Sequence, residues 1–248
     1  MMKLDEFFKE YPETAVAFSG GVDSAYLLYA AKKYAVKCCA YYVKTAFQPE
    51  FELRDALRLA KDLDAELKII EMDVLSFKAV TDNPNNRCYY CKQQIFGQII
   101  TKAKEDGYRI ILDGTNASDD ADDRPGMKAL KELNVLSPLR MCGLTKAMIR
   151  EKSKEAGLFT WDKPAYACLA TRIPTGEEIT KEKLEKIEQA EEFLFKEGFT
   201  DFRVRTVEGH ARIEVPDAQW MKLAECRDKI YDGLSGLFKT VSLSLKGR

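Results

Sequence analysis

Histidine is nearly absent from this chain: one residue, His210, in 248. With one imidazole and a single Cys-x-x-Cys pair, Cys88 and Cys91, a closed tetrahedral zinc site has too few obvious ligands. Long apolar runs are missing as well. No stretch approaches the roughly 18–20 apolar residues that span a bilayer, so no membrane segment is expected. The opening Met1-Met2-Lys3-Leu4-Asp5-Glu6-Phe7-Phe8 is charged and amphipathic, which argues against a signal peptide. Neither sign of charge prevails: 39 Lys+Arg stand against 40 Asp+Glu, and no Lys/Arg-rich tail is present. A net charge of −1 gives no indication of a nucleic-acid partner. Seven cysteines without a secretion signal suit thiols or a metal site, since disulfides are rare in the cytosol. The odd count fits a three-cysteine site better than full pairing, and a cytoplasmic protein is expected. At this length the chain fits one large domain, or one medium and one small.

What is present begins with Phe18-Ser19-Gly20-Gly21-Val22-Asp23-Ser24. The apolar run Thr14–Phe18 before it is of strand length, and Ala25–Tyr34 after it has helical periodicity. A strand, a Gly-Gly turn and a helix N-terminus gather unpaired backbone N–H groups at one point, where the macrodipole favours an anion. Gly20 and Gly21 let the backbone approach a phosphate closely, and Ser19 and Ser24 add hydroxyl donors. The motif is neither a Walker A loop nor the Gly-x-Gly-x-x-Gly of dinucleotide binders. It resembles the PP-loop, Ser-Gly-Gly-x-Asp-Ser, of the ATP pyrophosphatases, which cleave ATP between the α- and β-phosphates. That resemblance makes Ser19, Gly20, Gly21, Asp23 and Ser24 the ATP contacts. The plainer alternative is a strand–helix turn that needed two glycines.

Further strands are expected at Val36–Val43, Glu66–Met72 and Ile110–Leu112, with a helix over 49–63. Strands alternating with helices imply an α/β fold, a parallel sheet with helices on both faces, in which ligands bind beyond the strands' carboxyl ends. Gly114 and Thr115, in Asp113-Gly114-Thr115-Asn116 after the fourth strand, should border the nucleotide. Asp119, Asp120, Asp122 and Asp123 crowd the next loop, as a solvated acidic loop or as Mg²⁺ contacts. A helix led by Lys146 should stop at Gly157. Residues 161–178 read as a loop running into a small C-terminal α+β domain, which divides the chain into 1–177 and 178–248.

That second domain opens with the amphipathic helix Lys181–Lys196 and continues into a hairpin turning at Glu208-Gly209. In this register Arg205 faces Arg212 and Arg203 faces Glu214, while Phe202, Val204, Ile213 and Val215 share the buried face. Like charges directly opposite are destabilising, so Arg205 and Arg212 need an anion: a phosphate or carboxylate ligand, Glu208, or an acidic residue of a neighbouring subunit. His210 reads as a surface residue.

Arg87-Cys88-Tyr89-Tyr90-Cys91-Lys92 opens a helix, with Asn85 or Asn86 as its N-cap. Spacings of three, four and four put Cys88, Cys91, Ile95 and Ile99 along one stripe. Both thiols sit at the positive end of the helix, where Arg87 and Lys92 also favour thiolate. The pair could be half a zinc site, a redox pair or part of an iron–sulfur site. Cys168 is the natural third partner, and three cysteines with an open fourth position would hold a [4Fe–4S] cluster.

Taken together, the PP-loop, Arg-Cys-Tyr-Tyr-Cys-Lys, Asp-Gly-Thr-Asn, Arg-Pro-Gly, Ser-Pro-Leu and Lys-Pro-Ala-x-x-Cys-Leu-Ala-x-Arg-Ile-Pro occur in the order found in the LarE family. The chain resembles that family over nearly its whole length. The resemblance implies a Rossmann-like, HUP-type PP-loop domain and an AMP- and pyrophosphate-forming sulfurtransferase that uses ATP and Mg²⁺. Its substrate would be pyridinium-3,5-biscarboxylic acid mononucleotide, an intermediate on the way to the nickel-pincer nucleotide of lactate racemase. Some members sacrifice the sulfur of one cysteine, matched here by Cys168, and others hold a [4Fe–4S] cluster on three cysteines. Cys88 and Cys91 put this sequence with the cluster-bearing kind, its sulfur donor unknown. The resemblance further places Lys92 near the reacting centre and Arg172, Arg203 and Arg205 on the substrate phosphate, with Arg212 added by the hairpin argument. It implies a homo-oligomer and suggests a hexamer. The rival readings are a PP-loop tRNA thiolase, which needs a basic RNA-tracking surface, and an amidating PP-loop ligase, which needs none of the three cysteines.

Overall fold

The computed structural model describes residues 2–119 and 125–247. The chain forms two compact units, Met1–Val74 with Asn86–Lys163, and Leu75–Asn85 with Pro164–Arg248. The expected division at 177/178 therefore falls at 163/164, and a detached segment joins the second unit. The cause is local. Asn83, fully buried with φ 52°, donates from Nδ2 to the carbonyls of Ile173, Pro174 and Glu177. Its own carbonyl accepts from the Gly176 N–H, and the Ile179 N–H donates to Thr81.

The first unit contains α1 (Leu4–Glu10), β1 (Glu13–Ala17), α2 (Val22–Tyr34), β2 (Lys37–Lys44), α3 (Glu50–Asp62) and β3 (Leu67–Glu71). A short α4 (Lys78–Thr81) lies in the second unit. The first unit resumes with α5 (Arg87–Glu105), β4 (Ile110–Leu112), α6 (Pro125–Glu132), α7 (Pro138–Met141) and α8 (Lys146–Glu155). Its four strands are parallel in the order β3-β2-β1-β4. Alternation along the strands serves two faces. Val16, Ala40, Tyr42 and Leu112 pack into a core with α1, α2, α7 and α8, while Ala15, Cys39, Tyr41 and Ile111 pack against α5 and α6. The order reverses between β1 and β4, so the loops after these two strands meet at the carboxyl edge, where ligands of such sheets bind. The four expected strands and the helix stop at Gly157, which adopts φ 70°, agree with this sheet.

The second unit carries α9 (Lys181–Lys196), β5 (Arg203–Val207), β6 (His210–Glu214), α10 (Trp220–Glu225), α11 (Arg227–Leu234) and β7 (Val241–Leu243). Thr180 caps α9, its hydroxyl accepting from the Lys183 N–H. β5 and β6 pair in the expected register, Arg203 opposite Glu214 and Arg205 opposite Arg212. Glu208 and Gly209 both take positive φ, as the two-residue turn requires. Phe202, Val204, Ile213 and Val215 are buried in one core with α9 and α11. Among the described residues no helix is long and apolar enough to cross a membrane.

Candidate active site

The turn between β1 and α2 is closed by its own serines. Ser24 Oγ donates to the Gly21 carbonyl at 3.1 Å and accepts from the Ser19 N–H at 3.3 Å, and the Ser19 and Ser24 hydroxyls are 3.1 Å apart. Gly20 has φ 72°, a region in which side chains are strained, and Gly21 is the N-cap of α2 without any side-chain capping bond. The first N–H groups of α2 thus face outward, at the positive end of thirteen helical residues. The loop after β4 touches this turn. A Cβ on Gly114 would stand 2.9 Å from the Ser24 nitrogen and 3.2 Å from its Cα, so only glycine fits there.

Turn and loop border a cleft of about 560 Å³. Its polar end presents Ser19, Asp23, Ser24, Asp113 and Lys92, and Tyr41, Val43, Ile95, Phe96 and Ile99 form an apolar wall. Asp113 is buried and accepts from two hydroxyls, Thr115 Oγ1 and, at 2.5 Å, Ser137 Oγ. The Thr115 side chain is therefore engaged with its neighbour, and the backbone at Gly114 makes the close approach. Lys92 passes beside α6, where a Cβ on Gly126 would come within 3.0 Å of its Cδ. Burial pushes the Lys92 ammonium below its ordinary pKa, against the opposing pull of Asp113, Cys88 and Asp119.

Cys88, Lys92, Ile95 and Ile99 line the cleft, at spacings of four, three and four, while Cys91 is not among its lining residues. Asn86 is the N-cap of α5, as expected, but its side chain makes no capping bond. Asp119 lines the cleft and its Oδ2 accepts from the Asn116 N–H, whereas Asp120, Asp122 and Asp123 lie outside the described residues.

Asp23 pairs with a residue that the sequence reading left without a role: Lys146 Nζ, on the first turn of α8, lies 2.5 Å from Asp23 Oδ2. Among the described residues the other oxygen, Oδ1, is buried without a hydrogen-bond partner, as is the hydroxyl of Tyr42, which also lines the cleft. Burial raises the Asp23 carboxyl above its ordinary value, the Lys146 ammonium opposing. A raised folded-state pKa means that ionised Asp23 lowers stability above that pKa, and that the penalty disappears in acid, where both states hold the proton. Asp23→Asn, melted without nucleotide or divalent cation, is therefore expected to be more stable than wild type at neutral pH and to lose the advantage in acid. A lower melting temperature at neutral pH would contradict this account.

In the second unit two of the expected phosphate-binding arginines, Arg172 and Arg203, are buried, and Arg205 is partly exposed. Arg172 is 1% exposed. It donates from Nε and Nη2 to the buried Glu191 carboxylate at 2.8 and 3.1 Å, and from Nη1 to the Ala167 carbonyl and Thr171 Oγ1. Arg203, also buried, donates to the carbonyls of Phe202 and Ala165. Arg205 donates to the Thr171 carbonyl at 2.7 Å and to Glu214. Tyr166 lies under both the Arg172 and Arg203 guanidinium groups and donates its hydroxyl to Glu191. These side chains hold residues 165–172, and with them Cys168, which caps the 3₁₀ turn Leu169–Arg172. The anion demanded by Arg205 and Arg212 is internal: Glu214 accepts from both, at 2.8 and 3.1 Å. It stands beside Arg212 on the same strand, diagonal to Arg205, a position that the direct-pair argument passed over. His210 is exposed, its Nδ1 paired with the Thr240 hydroxyl.

All seven cysteines are thiols, Cys88 exposed and Cys91 and Cys168 partly so. Cys88 and Cys91 belong to the first unit and Cys168 to the second. Among the described residues no three His, Cys, Asp or Glu side chains are gathered closely enough to hold a metal ion. Thiolate donors suit iron, and the three cysteines are divided between the two units. Sequence reasoning missed Asp113, Lys146, Lys163 and Glu191. A carboxylate ending a strand and the lysine heading α8 were visible signals for the first two.

Residues 13–85 match the family described as queuosine biosynthesis protein QueC. An uncharacterized protein of Synechocystis is 38% identical over 219 residues, covering 87% of this chain and 81% of its own. One from Methanocaldococcus jannaschii is 36% identical over 215 residues, 86% and 81% of the two chains. The pyridinium-3,5-bisthiocarboxylic acid mononucleotide synthase of Lactiplantibacillus plantarum is 31% identical over 242 residues, which cover 96% of this chain and 88% of that enzyme.

Proposed function

From the premise that the chain belongs to the LarE family of PP-loop, ATP-dependent sulfurtransferases, we propose that it converts a carboxylate of a pyridinium-3,5-biscarboxylic acid mononucleotide to a thiocarboxylate. The observation that carries this reading is the convergence, in one cleft, of the Ser19–Ser24 turn, the Gly114 loop and the half-buried Lys92. A carboxylate oxygen is a poor leaving group. In the proposed reaction it attacks the α-phosphorus of ATP, pyrophosphate departs, and the oxygen becomes part of AMP. Ser19, Gly20, Gly21, Asp23 and Ser24 hold the phosphates. Asp119, with an oxygen donor at the cleft, would hold Mg²⁺, which neutralises charge on the departing pyrophosphate.

The Cys168 thiolate then attacks the acyl carbon and AMP leaves, giving a thioester. Lys92 stabilises the oxyanion of that step, a contribution of about 3–4 kcal/mol for one well-placed donor. Loss of the Cys168 Cα proton to a base, with cleavage of Cβ–S, releases the thiocarboxylate and leaves dehydroalanine. In the cluster-bearing variant of this reading, Cys88, Cys91 and Cys168 would hold a [4Fe–4S] cluster that supplies bound sulfide. Arg212, which is half exposed, is the hairpin arginine assigned to the substrate phosphate. Arg172, Arg203 and Arg205 support the Cys168 segment. A cytoplasmic location, from the cysteine usage, and a homo-oligomer, from the resemblance, are part of the same reading.

Incubation with ATP, Mg²⁺ and the dicarboxylated pyridinium mononucleotide is expected to yield AMP, pyrophosphate and a product in which one oxygen is replaced by sulfur. Amide formation with ammonia, or thiolation of tRNA in place of the mononucleotide, would overturn the proposal. The Gly114 contact predicts a second result. In Gly114→Ala the new methyl meets the Ser24 backbone, an overpacking cost of about 1–3 kcal/mol. Because the clash lies in the phosphate loop, ATP affinity should fall about tenfold or more. Titration of ATP into the variant checks this, and wild-type affinity would contradict it.

A further inference from the structure

Lys163 is the first residue of the Lys-Pro-Ala motif, and nothing above gives it a task. Its side chain is 15% exposed and ends between two groups of the first unit. Nζ donates to Asp55 Oδ2 on α3 at 2.6 Å and to the Gly20 carbonyl at 3.3 Å, and it lies 5.4 Å from the centre of the Phe51 ring. The backbone of Lys163 is itself held, since Arg150 on α8 donates to the carbonyls of Trp161 and Lys163, each at 2.7 Å. Gly20 packs against α3, where its Cβ position lies 3.2 Å from the Glu52 carbonyl oxygen.

We propose that Lys163 is a positioning residue for the ATP phosphates, an inference that rests on the PP-loop reading of Ser19–Ser24. A trans peptide is planar, and its C=O and N–H point in opposite directions. Holding the Gly20 carbonyl toward Lys163 therefore turns the Gly21 N–H the other way, toward the anion site at the start of α2. With glycine on both sides of that bond, few other forces oppose a peptide flip, and a flip would aim a carbonyl oxygen at the phosphates. Asp55 keeps the ammonium in place, and Arg150 keeps the segment that bears it. The link ties the phosphate loop to the stretch of chain five residues before Cys168.

The test compares ATP with AMP, which lacks the phosphates that the loop holds, by calorimetric titration of the full chain. Lys163→Met is expected to weaken ATP binding about tenfold or more and AMP binding less than about twofold, and Lys163→Arg to restore ATP binding to within about threefold of wild type. Asp55→Asn, which retains the lysine, should show a smaller loss confined to ATP. Lys68→Met breaks an ion pair with Asp106 outside the cleft and should leave both affinities unchanged. Undiminished ATP affinity in Lys163→Met would overturn the proposal. So would equal losses for ATP and AMP, because the side chain would then only support the fold. A wild-type protein that binds ATP no better than AMP would overturn the phosphate-loop reading and this inference with it, a failure visible before any substitution is made.

Discussion

Cys168→Ala is expected to abolish thiocarboxylate formation, a loss of about 10³-fold or more, as when a nucleophile is removed in reference enzymes. The same variant should still release AMP and pyrophosphate when ATP and the carboxylated substrate are supplied. The Ser19–Ser24 turn, Gly114 and Lys92 all belong to the first unit, whereas Cys168 is in the second. Adenylylation needs only a carboxylate nucleophile, Mg²⁺ and the phosphate cradle, and hydrolysis of the stranded acyl-adenylate returns the starting acid. Quantifying AMP, pyrophosphate and product by mass spectrometry separates the two half-reactions. After one turnover the wild-type protein should have lost the mass of one H₂S at Cys168. Thiocarboxylate formed at the wild-type rate by Cys168→Ala would remove Cys168 from the mechanism.

The largest expected effect on stability lies at Arg172 and Glu191. Both side chains are essentially withdrawn from solvent, at 0% and 2% exposure. Glu191 also accepts from the Val204 N–H and the Tyr166 hydroxyl. Removing one partner leaves an uncompensated charge inside the second core, so Glu191→Leu or Arg172→Met should each lower stability by about 3–5 kcal/mol. Replacing both by apolar residues of similar volume, Arg172→Met with Glu191→Leu, should recover most of that loss, because the desolvation of two ions goes with them. Denaturant unfolding of the three variants forms a double-mutant cycle. Losses that simply add would show that the two residues are energetically independent and that the pair does not anchor the Cys168 segment.

Much of the fold was legible because local signals agreed with the tertiary context. The strand at Ile110–Leu112 and the helix Lys181–Lys196 appear with their expected bounds. The hairpin register follows from a two-residue turn and an alternation that admits only one buried face. Illegible features depended on long-range polar contacts of single side chains. Asn83 draws residues 75–85 into the second unit through three carbonyls about ninety positions away. Arg172 and Arg203 read as open cations, since nothing in a linear sequence tells a ligand-facing arginine from one buried on Glu191. The Ser19–Ser24 turn between strand and helix was legible from glycine and serine spacing, but its side-chain contacts, Lys146 on Asp23 and Lys163 on Gly20, come from residues more than a hundred positions later. Helical spacing puts Cys88 and Cys91 on one face of α5 without saying that Cys88 would line the cleft.

The most direct test of the account follows one oxygen atom. The dicarboxylated pyridinium mononucleotide, labelled with ¹⁸O in its carboxylates, is incubated with the protein, ATP and Mg²⁺, and the nucleotide products are analysed by mass. Adenylylation followed by sulfur attack at the acyl carbon predicts one ¹⁸O in AMP for every thiocarboxylate formed, and none in pyrophosphate. Unlabelled AMP, or label appearing in inorganic phosphate alongside ADP, would contradict activation of the carboxylate at the α-phosphorus and the function built on it.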